Sequence, residues 1–414
     1  MNKLPALYPH QAEALEWLKG KDRVYLQDEA GLGKTRIALE WVRHTKSQTV
    51  LIICPASARN VWVDEIKKWA SDLDVSWTLL SYNTVSNNYK VQQLMRSAKT
   101  FDMVIADEAQ KLKNWAAVCT KNFAKRIAPK AKRILAMSGT PKTKHAGDLH
   151  SVYSVMQPGK WGKYAEFCAQ YCEQIENKFT YQGWSWGGLK NEEELKQRAS
   201  AFVLRRYKKD CLKDLPDKVV QYVMMPLEDD QYKIDEHTQT EINNIVNSGG
   251  VLPVAHEVAQ QRQALGLYKT NYVVDFVTTL STTPVVIFAH HRKVVEELVL
   301  KLKAETPKVA CFVGGMSDKE RKTIVDNFQQ GLLDYLVVGI QAGGVGLTLT
   351  AASHCVFAEL SYSYVEMDQA MDRLHRLGQK SCVNVYVVGV ENTIDEAALK
   401  AAKYKEELFK RAIE

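Results

Sequence analysis

Asp28-Glu29-Ala30-Gly31-Leu32-Gly33-Lys34-Thr35 follows a short apolar run, Val24-Tyr25-Leu26, and opens a helical pattern from Thr35 to Val42. Strand, glycine turn and helix form the setting in which inward-pointing backbone N–H groups and a helix N-terminus hold phosphate. In that setting the loop at Gly31 and Gly33 cradles a nucleoside triphosphate. Lys34 reaches its β- and γ-phosphates, and the Thr35 hydroxyl ligates Mg²⁺. The eight-residue phosphate-loop pattern asks for Gly at its first position, where this chain has Asp28. The competing reading is a plain Gly-Leu-Gly turn, but Gly-Lys-Thr directly at a helix start argues against it. Farther on, Phe101-Asp102-Met103-Val104-Ile105-Ala106 is an apolar strand pattern that ends at Asp107-Glu108-Ala109-Gln110. Carboxylates at the C-terminal end of a buried strand sit where parallel α/β sheets bind ligands. Asp107 is the candidate Mg²⁺ ligand, direct or through water. Glu108 is the candidate base for the attacking water.

A third stretch runs from Gln369 to Gln379 and carries Arg373 and Arg376. Three residues apart, they share one face if the segment is helical. A guanidinium fork there can neutralise charge on the γ-phosphate in the transition state. The bland alternative is a solvated basic helix face. Gln341-Ala342-Gly343-Gly344-Val345-Gly346-Leu347 follows a strand pattern, and its glycines, Gly346 included, can bring backbone close to phosphate.

These groups need elements to hold them. Val50–Cys54 reads as a buried strand closed by Pro55, Asn60–Trp69 as a helix, and Arg133–Met137 as a strand running into Ser138-Gly139-Thr140-Pro141. The scheme repeats in the second half. Strands are expected at Pro284–Ala289, Lys308–Val313, Tyr335–Gly339, Cys355–Ala358 and Val383–Val388, with helices at Arg292–Leu302 and Lys319–Gln330. Alternation of this kind argues two α/β lobes with parallel sheets. Two lobes with one phosphate site suggest a nucleotide in the cleft between them, with catalysis completed when the cleft closes. Residues 142–282 are richer in helical pattern and aromatics. Within them Phe179–Gly188 reads as a polar-aromatic loop or hairpin, more a packing cluster than a base-stacking platform, and 239–250 as a surface loop or helix end.

The 414 residues fit two or three domains, and 46% hydrophobic with 25% charged residues is ordinary for a globular protein. Lys and Arg number 55 against 48 acidic residues, a net charge of +7 that suits a polyanionic partner without demanding one. Of eight cysteines, Cys168 and Cys172 form the one close pair, with no His near in sequence to complete a zinc set. Reduced thiols in a cytoplasmic setting are expected. The N-terminus, Met1-Asn2-Lys3-Leu4-Pro5, has no apolar h-region, and no apolar run approaches membrane-spanning length.

Taken together, the motifs resemble those of the superfamily 2 helicase-like ATPases, and within them the Swi/Snf-type DNA translocases. Leu7-Tyr8-Pro9-His10-Gln11 resembles the adenine-recognising motif, with Tyr8 and Gln11 at the base. Asp28–Thr35 resembles the family's phosphate loop, in which Asp-Glu precedes the glycines. Cys54-Pro55 resembles the first nucleic-acid contact motif, Asp107–Gln110 the Mg²⁺ and water-activating motif, and Ser138–Pro141 the motif that couples hydrolysis to DNA. Gln341–Leu349 and Gln369–Gln379 resemble the two motifs of the second lobe. The block Leu204–Lys218, with two Arg and a later Leu-Pro-x-Lys, is similar to a Swi/Snf-type signature. Phe357–Leu360, Tyr171-Cys172 and the Trp184–Trp186 stretch look nearest the annealing-helicase, fork-remodelling branch, although Ser361-Tyr362-Ser363-Tyr364 stands where relatives carry Trp-Asn-Pro.

The resemblance implies two RecA-like lobes: 1–215 with an insertion near 142–203, and 216–414 with an insertion near 227–280. It implies ATP and Mg²⁺ as cofactors, double-stranded or forked DNA as partner, and ATP-driven translocation on the duplex; a strand-separating DNA or RNA helicase is the alternative. It runs from Leu7 to about Ala398, which predicts a bare motor of phage, viral or bacterial type.

Overall fold

A computed structural model describes residues 4–97, 100–139, 141, 145–176, 182–228, 256–280, 282–343, 347–361, 364–396 and 398–399. Two compact units emerge, one of residues 1–175 with 180–213 and the other of 214–414 with 176–179.

The first unit is built on a six-stranded parallel sheet. Its strands are β1 (Arg23–Leu26), β2 (Thr49–Cys54), β3 (Ser76–Ser81), β4 (Phe101–Asp107), β5 (Ala131–Met137) and, after a two-stranded hairpin of β6 (Glu173–Glu176) and β7 (Trp184–Gly187), the short β8 (Val203–Leu204). The order across the sheet is β3-β2-β4-β5-β1-β8. Parallel strands with helices on both faces must be apolar on both faces. Accordingly Val50, Leu51, Ile52, Ile53 and Cys54 are all fully buried. Leu51 and Ile53 pack into a cluster that also takes Phe123, Tyr153, Trp161, Phe167, Tyr171 and Phe202. Of the aromatic residues after β5, Tyr153, Trp161, Phe167, Tyr171 and Phe202 are therefore core, and Trp186 of the hairpin leans on that same cluster.

The second unit repeats the plan with β9 (Lys218–Met225), β10 (Val285–Ala289), β11 (Val309–Phe312), β12 (Tyr335–Gly339), β13 (His354–Phe357) and β14 (Val383–Val390), in the order β11-β12-β10-β13-β14-β9. All its pairings are parallel. Along β10, Val286 and Phe288 enter one core while Val285, Ile287 and Ala289 enter the other, the period-two alternation of a strand covered on both sides.

Three strands of the two main sheets escape the sequence patterns, as does β6 of the hairpin. β3 and β8 are edge strands with half-exposed side chains, so neither shows a buried run. β9 falls within the stretch read as helical, yet it pairs with β14 along its whole length. Edge placement leaves Val219 41% exposed and dilutes its apolar signal. Residues 239–250, Phe179, Thr180 and Tyr181 of the aromatic loop, Thr140, Tyr362 and Ser363 lie outside the described residues. Among the described residues no helix is long and apolar enough to cross a membrane.

Candidate nucleotide site

β1 delivers the chain to Asp28 and the loop, and the helix Lys34–His44 leaves it. Gly31 and Gly33 have φ of 89° and 76°, the left-handed region that favours glycine. At Gly33 a Cβ would also collide with the Gln11 amide nitrogen, so this position is small for two reasons. Lys34 is the first helical residue, and its ammonium donates to the carbonyl oxygens of Asp28 (2.6 Å) and Glu29 (3.1 Å). Thr35 follows it in the first helical turn, half-buried. The helix Pro9–Leu18 sets Gln11 against the loop: the Gln11 side-chain oxygen accepts from Tyr8 N at 3.2 Å, and its amide reaches Leu32 O at 3.5 Å. His10 contacts the same carbonyl at 3.0 Å. Tyr8 stacks on His10 with ring centres 5.9 Å apart and is 50% exposed, which leaves its ring free to cover a flat ligand.

Asp28 explains its own departure from the phosphate-loop pattern. Its carboxylate is fully buried and is held by both arms of the Arg206 guanidinium, Nε to Oδ1 at 3.1 Å and Nη2 to Oδ2. Arg206 also donates to His10 O, so one side chain ties the Gln11 helix to the loop. Next to it Glu29 N donates to Arg206 O at 3.0 Å, and Lys208 N donates to the Glu29 carboxylate at 2.7 Å. The Leu204–Lys218 block therefore begins as an edge strand laid along the phosphate loop. A bidentate Arg–carboxylate pair of this kind fixes geometry as well as charge. Both segments stand out in the sequence but the bond between them does not; the signal for it is the acid in place of the expected glycine at Asp28.

β4 and β5 supply the second half of the site. Asp107 pairs with Met137 in register, and Met137 pairs with Leu26, so the carboxyl ends of β4, β5 and β1 lie side by side. Glu108 sits at φ 54°, a left-handed backbone unusual for a non-glycine residue and of the sort found at functional sites. Its carboxylate accepts from the Gln110 amide, and the Gln110 oxygen accepts from the Ser138 hydroxyl at 2.6 Å. Gly139 follows, and a Cβ there would come within 3.2 Å of Ala30 N in the phosphate loop. The Asp107 carboxyl is raised to about 6, first by burial and then by the Glu108 charge beside it; Trp62 and Lys34 pull it back only in part. An acid kept this poorly compensated favours a cation nearby. A carboxylate and a hydroxyl are the few protein donors that Mg²⁺ uses when phosphate oxygens and water complete its shell. Asp107 and Thr35 therefore fit such an ion. Among the described residues no cluster of three or more His, Cys, Asp or Glu is arranged to hold a metal. His145 does come near Cys172, at 3.8 Å, a neighbour that the linear spacing concealed.

In the second unit the helix carrying Gln369 ends at Met371. Arg373 and Arg376 therefore do not share a helix face; they lie in successive turns, with Arg373 N bonded to Ala370 O and Arg376 N to Leu374 O. The reason is packing. Leu374 is fully buried, and Gln379 donates to Thr350 O, Ala352 O and Leu374 O while accepting from Lys380 N and Ser381 N. Gln379 thereby satisfies the backbone that leaves the helix. Arg376 donates to Leu347 O at 3.3 Å, and both arginines are half-buried. His375 bonds Pro216 O at 2.8 Å, which joins this motif to the end of the Leu204–Lys218 block. Gly344, Val345 and Gly346 lie outside the described residues.

Several known proteins are similar to this chain. The SNF2-related domain matches residues 10–81 and 78–263, and the helicase conserved C-terminal domain matches residues 268–378. Human "DNA annealing helicase and endonuclease ZRANB3" is 30% identical over 417 residues, covering 94% of this chain and 39% of that one. An "Uncharacterized ATP-dependent helicase" of Mycoplasma genitalium is 28% identical over 458 residues, covering 100% of this chain and 43% of that one. The chain thus spans less than half the length of these relatives. Among solved structures, the Sulfolobus solfataricus SWI2/SNF2 ATPase core in complex with dsDNA aligns over 100% of this chain and 94% of that one, at 24% identity and a TM-score of 0.45. With more than half its length matched by the one domain and much of the rest by the other, the chain belongs to the SNF2-related family of ATP-dependent, helicase-type enzymes.

Proposed function

We propose that the chain couples hydrolysis of ATP to movement along double-stranded DNA. The observation that carries this reading is the placement of Lys34 on the loop after β1 beside the linked series Asp107, Glu108, Gln110 and Ser138, with the carboxyl ends of β1, β4 and β5 adjoining. In it Lys34 balances phosphate charge, Asp107 and Thr35 hold Mg²⁺, and Glu108 takes the proton from the attacking water. The divalent ion supplies further charge neutralisation on the phosphates. Gln110 and Ser138 hold the Glu108 carboxylate in place, so a shift of the Ser138–Pro141 segment would be felt at the base. Gly31 and Gly33 give the loop its backbone donors, and Tyr8 and Gln11 recognise the adenine. Arg373 and Arg376 neutralise charge on the γ-phosphate in the transition state, and Gly346 belongs to the same nucleotide-binding set.

Duplex DNA as the track accords with the family and with the net charge of +7. Contacts to phosphate alone would make binding sequence-independent and steeply salt-sensitive. The resemblance to annealing helicases extends the proposal to forked DNA. The enzyme would act in the cytoplasm, in a bacterial, phage or viral context, or in the nucleus of a eukaryote. The test is ATP turnover at low salt against duplex, forked and single-stranded DNA and RNA, with triplex displacement on intact duplex. Stimulation by duplex and displacement of the third strand are expected. Stimulation by single strands alone would favour a strand-separating helicase instead. Arg376→Ala is expected to lower turnover about 10³-fold with little change in nucleotide affinity.

A further inference from the structure

Two aromatic side chains converge on Asp107 from outside the motifs. Trp62, 2% exposed on the helix Arg59–Trp69, donates its indole N–H to Asp107 Oδ2 at 2.9 Å. Tyr82, 7% exposed and just past β3, donates its hydroxyl to the Asp107 main-chain oxygen at 2.7 Å. Asp107 Oδ1 accepts from Glu108 N at 3.0 Å. The side chain and the peptide of one residue are thus each tied by a separate donor, from segments that leave the carboxyl ends of β2 and β3.

We propose that Trp62 and Tyr82 are positioning residues that aim the Asp107 carboxylate at the metal ion. The inference rests on the reading of Asp107 as a Mg²⁺ ligand given above.

The chemistry of the donors supports it. An indole N–H is a donor only, and it is neutral. It can fix the torsion of a carboxylate while leaving the negative charge for a cation, and each oxygen keeps a lone pair beyond the bond it accepts. Asp28 makes the contrast within the same unit: the Arg206 guanidinium takes both its oxygens and cancels its charge, which suits a structural acid. Positioning groups behind metal ligands govern metal affinity. A buried tryptophan does need some partner for its N–H, but packing alone gives no reason for a second aromatic to hold the main chain of the same residue.

The test separates metal from nucleotide. Mn²⁺ binding to the whole chain in the presence of ADP is measured by electron paramagnetic resonance, and ADP binding in EDTA by calorimetry, for the unaltered protein, Trp62→Phe and Tyr82→Phe. Trp62→Phe is expected to weaken Mn²⁺ by about tenfold and Tyr82→Phe by roughly threefold, with metal-free ADP affinity unchanged in both. Unaltered Mn²⁺ affinity in folded variants overturns the positioning role, as does an equal loss of metal-free ADP affinity. If Trp62→Phe does not fold, Tyr82→Phe, which keeps its ring, decides by the same criterion. Failure of the unaltered protein to bind Mn²⁺ with ADP would instead sink the parent reading of Asp107.

Discussion

Asp107 closes β4 in the first sheet, and Glu359 stands two residues beyond the end of β13 in the second. Both follow buried parallel strands, and burial pushes both carboxyls upward. Their partners then leave them on opposite sides of the ordinary carboxyl value. Glu359, 4% exposed, accepts from His290 N at 2.8 Å, His291 N at 2.9 Å and the His291 ring at 2.6 Å. Those bonds outweigh burial and hold its carboxyl below the ordinary value of 4.5. Asp107 has an indole, one backbone N–H and an acidic neighbour, and it stays raised. Two acids near the carboxyl ends of buried strands thus end up differently, one satisfied by donors and held low, the other left raised. Hydrogen-bond donors decide which, not burial.

Substitutions can pull that contrast apart. The largest effect is expected from Glu108→Gln, which should cut the chemical step by about 10³-fold in single-turnover assays while ATP stays bound. Asp107→Asn should lower turnover about a hundredfold at fixed Mg²⁺, yet leave the unfolding free energy within about 1 kcal/mol in urea. Glu359→Ala should reverse that pattern. It bares two backbone donors and the His291 ring, and a loss of about 3 kcal/mol in urea unfolding is expected, with turnover per folded molecule little changed. An equal loss of stability at Asp107 and Glu359 would break the comparison.

Acid sharpens it further. Folding lowers the Glu359 pKa, so its stabilising contribution is complete above the unfolded value of 4.5 and drains away as pH falls through the lower, folded value. Below about pH 5, stability should therefore fall more steeply in the unaltered protein than in Glu359→Ala. The smallest effect is expected at the opposite end of β4. Asp102 accepts from Lys132 at 2.8 Å and from Gln48 N, Thr49 N and the Thr49 hydroxyl, near the surface. Its replacement by Asn should cost less than about 1 kcal/mol in thermal unfolding.

What could be read in the chain before its fold was known followed from chemistry that needs neighbouring residues. Gly31, Gly33, Lys34 and Thr35 are consecutive or nearly so because one turn must present them, and β4 announces Asp107 because a buried strand must be apolar throughout. The bonds that set those groups are another matter. Arg206 reaches Asp28 across the whole unit, and Trp62 reaches Asp107 from a helix whose pattern reveals only that it is amphipathic. Such pairings arise from topology, which no local spacing encodes. The edge strands β3, β8 and β9 were hidden for a related reason: half-exposed positions carry mixed residues, and only their partners make them strands. Arg373 and Arg376 stand out by type, but the turn that carries them depends on Leu374 and Gln379.

The Asp28–Arg206 pair has a consequence for how the protein is made. Arg206 leaves the ribosome 178 residues after Asp28. Until then the emerging polypeptide holds an acid in its loop with no guanidinium to meet it, so burying that acid would be costly. A fragment released before residue 206 should accordingly remain open to proteases around the loop, while one extending through residue 213 should resist them.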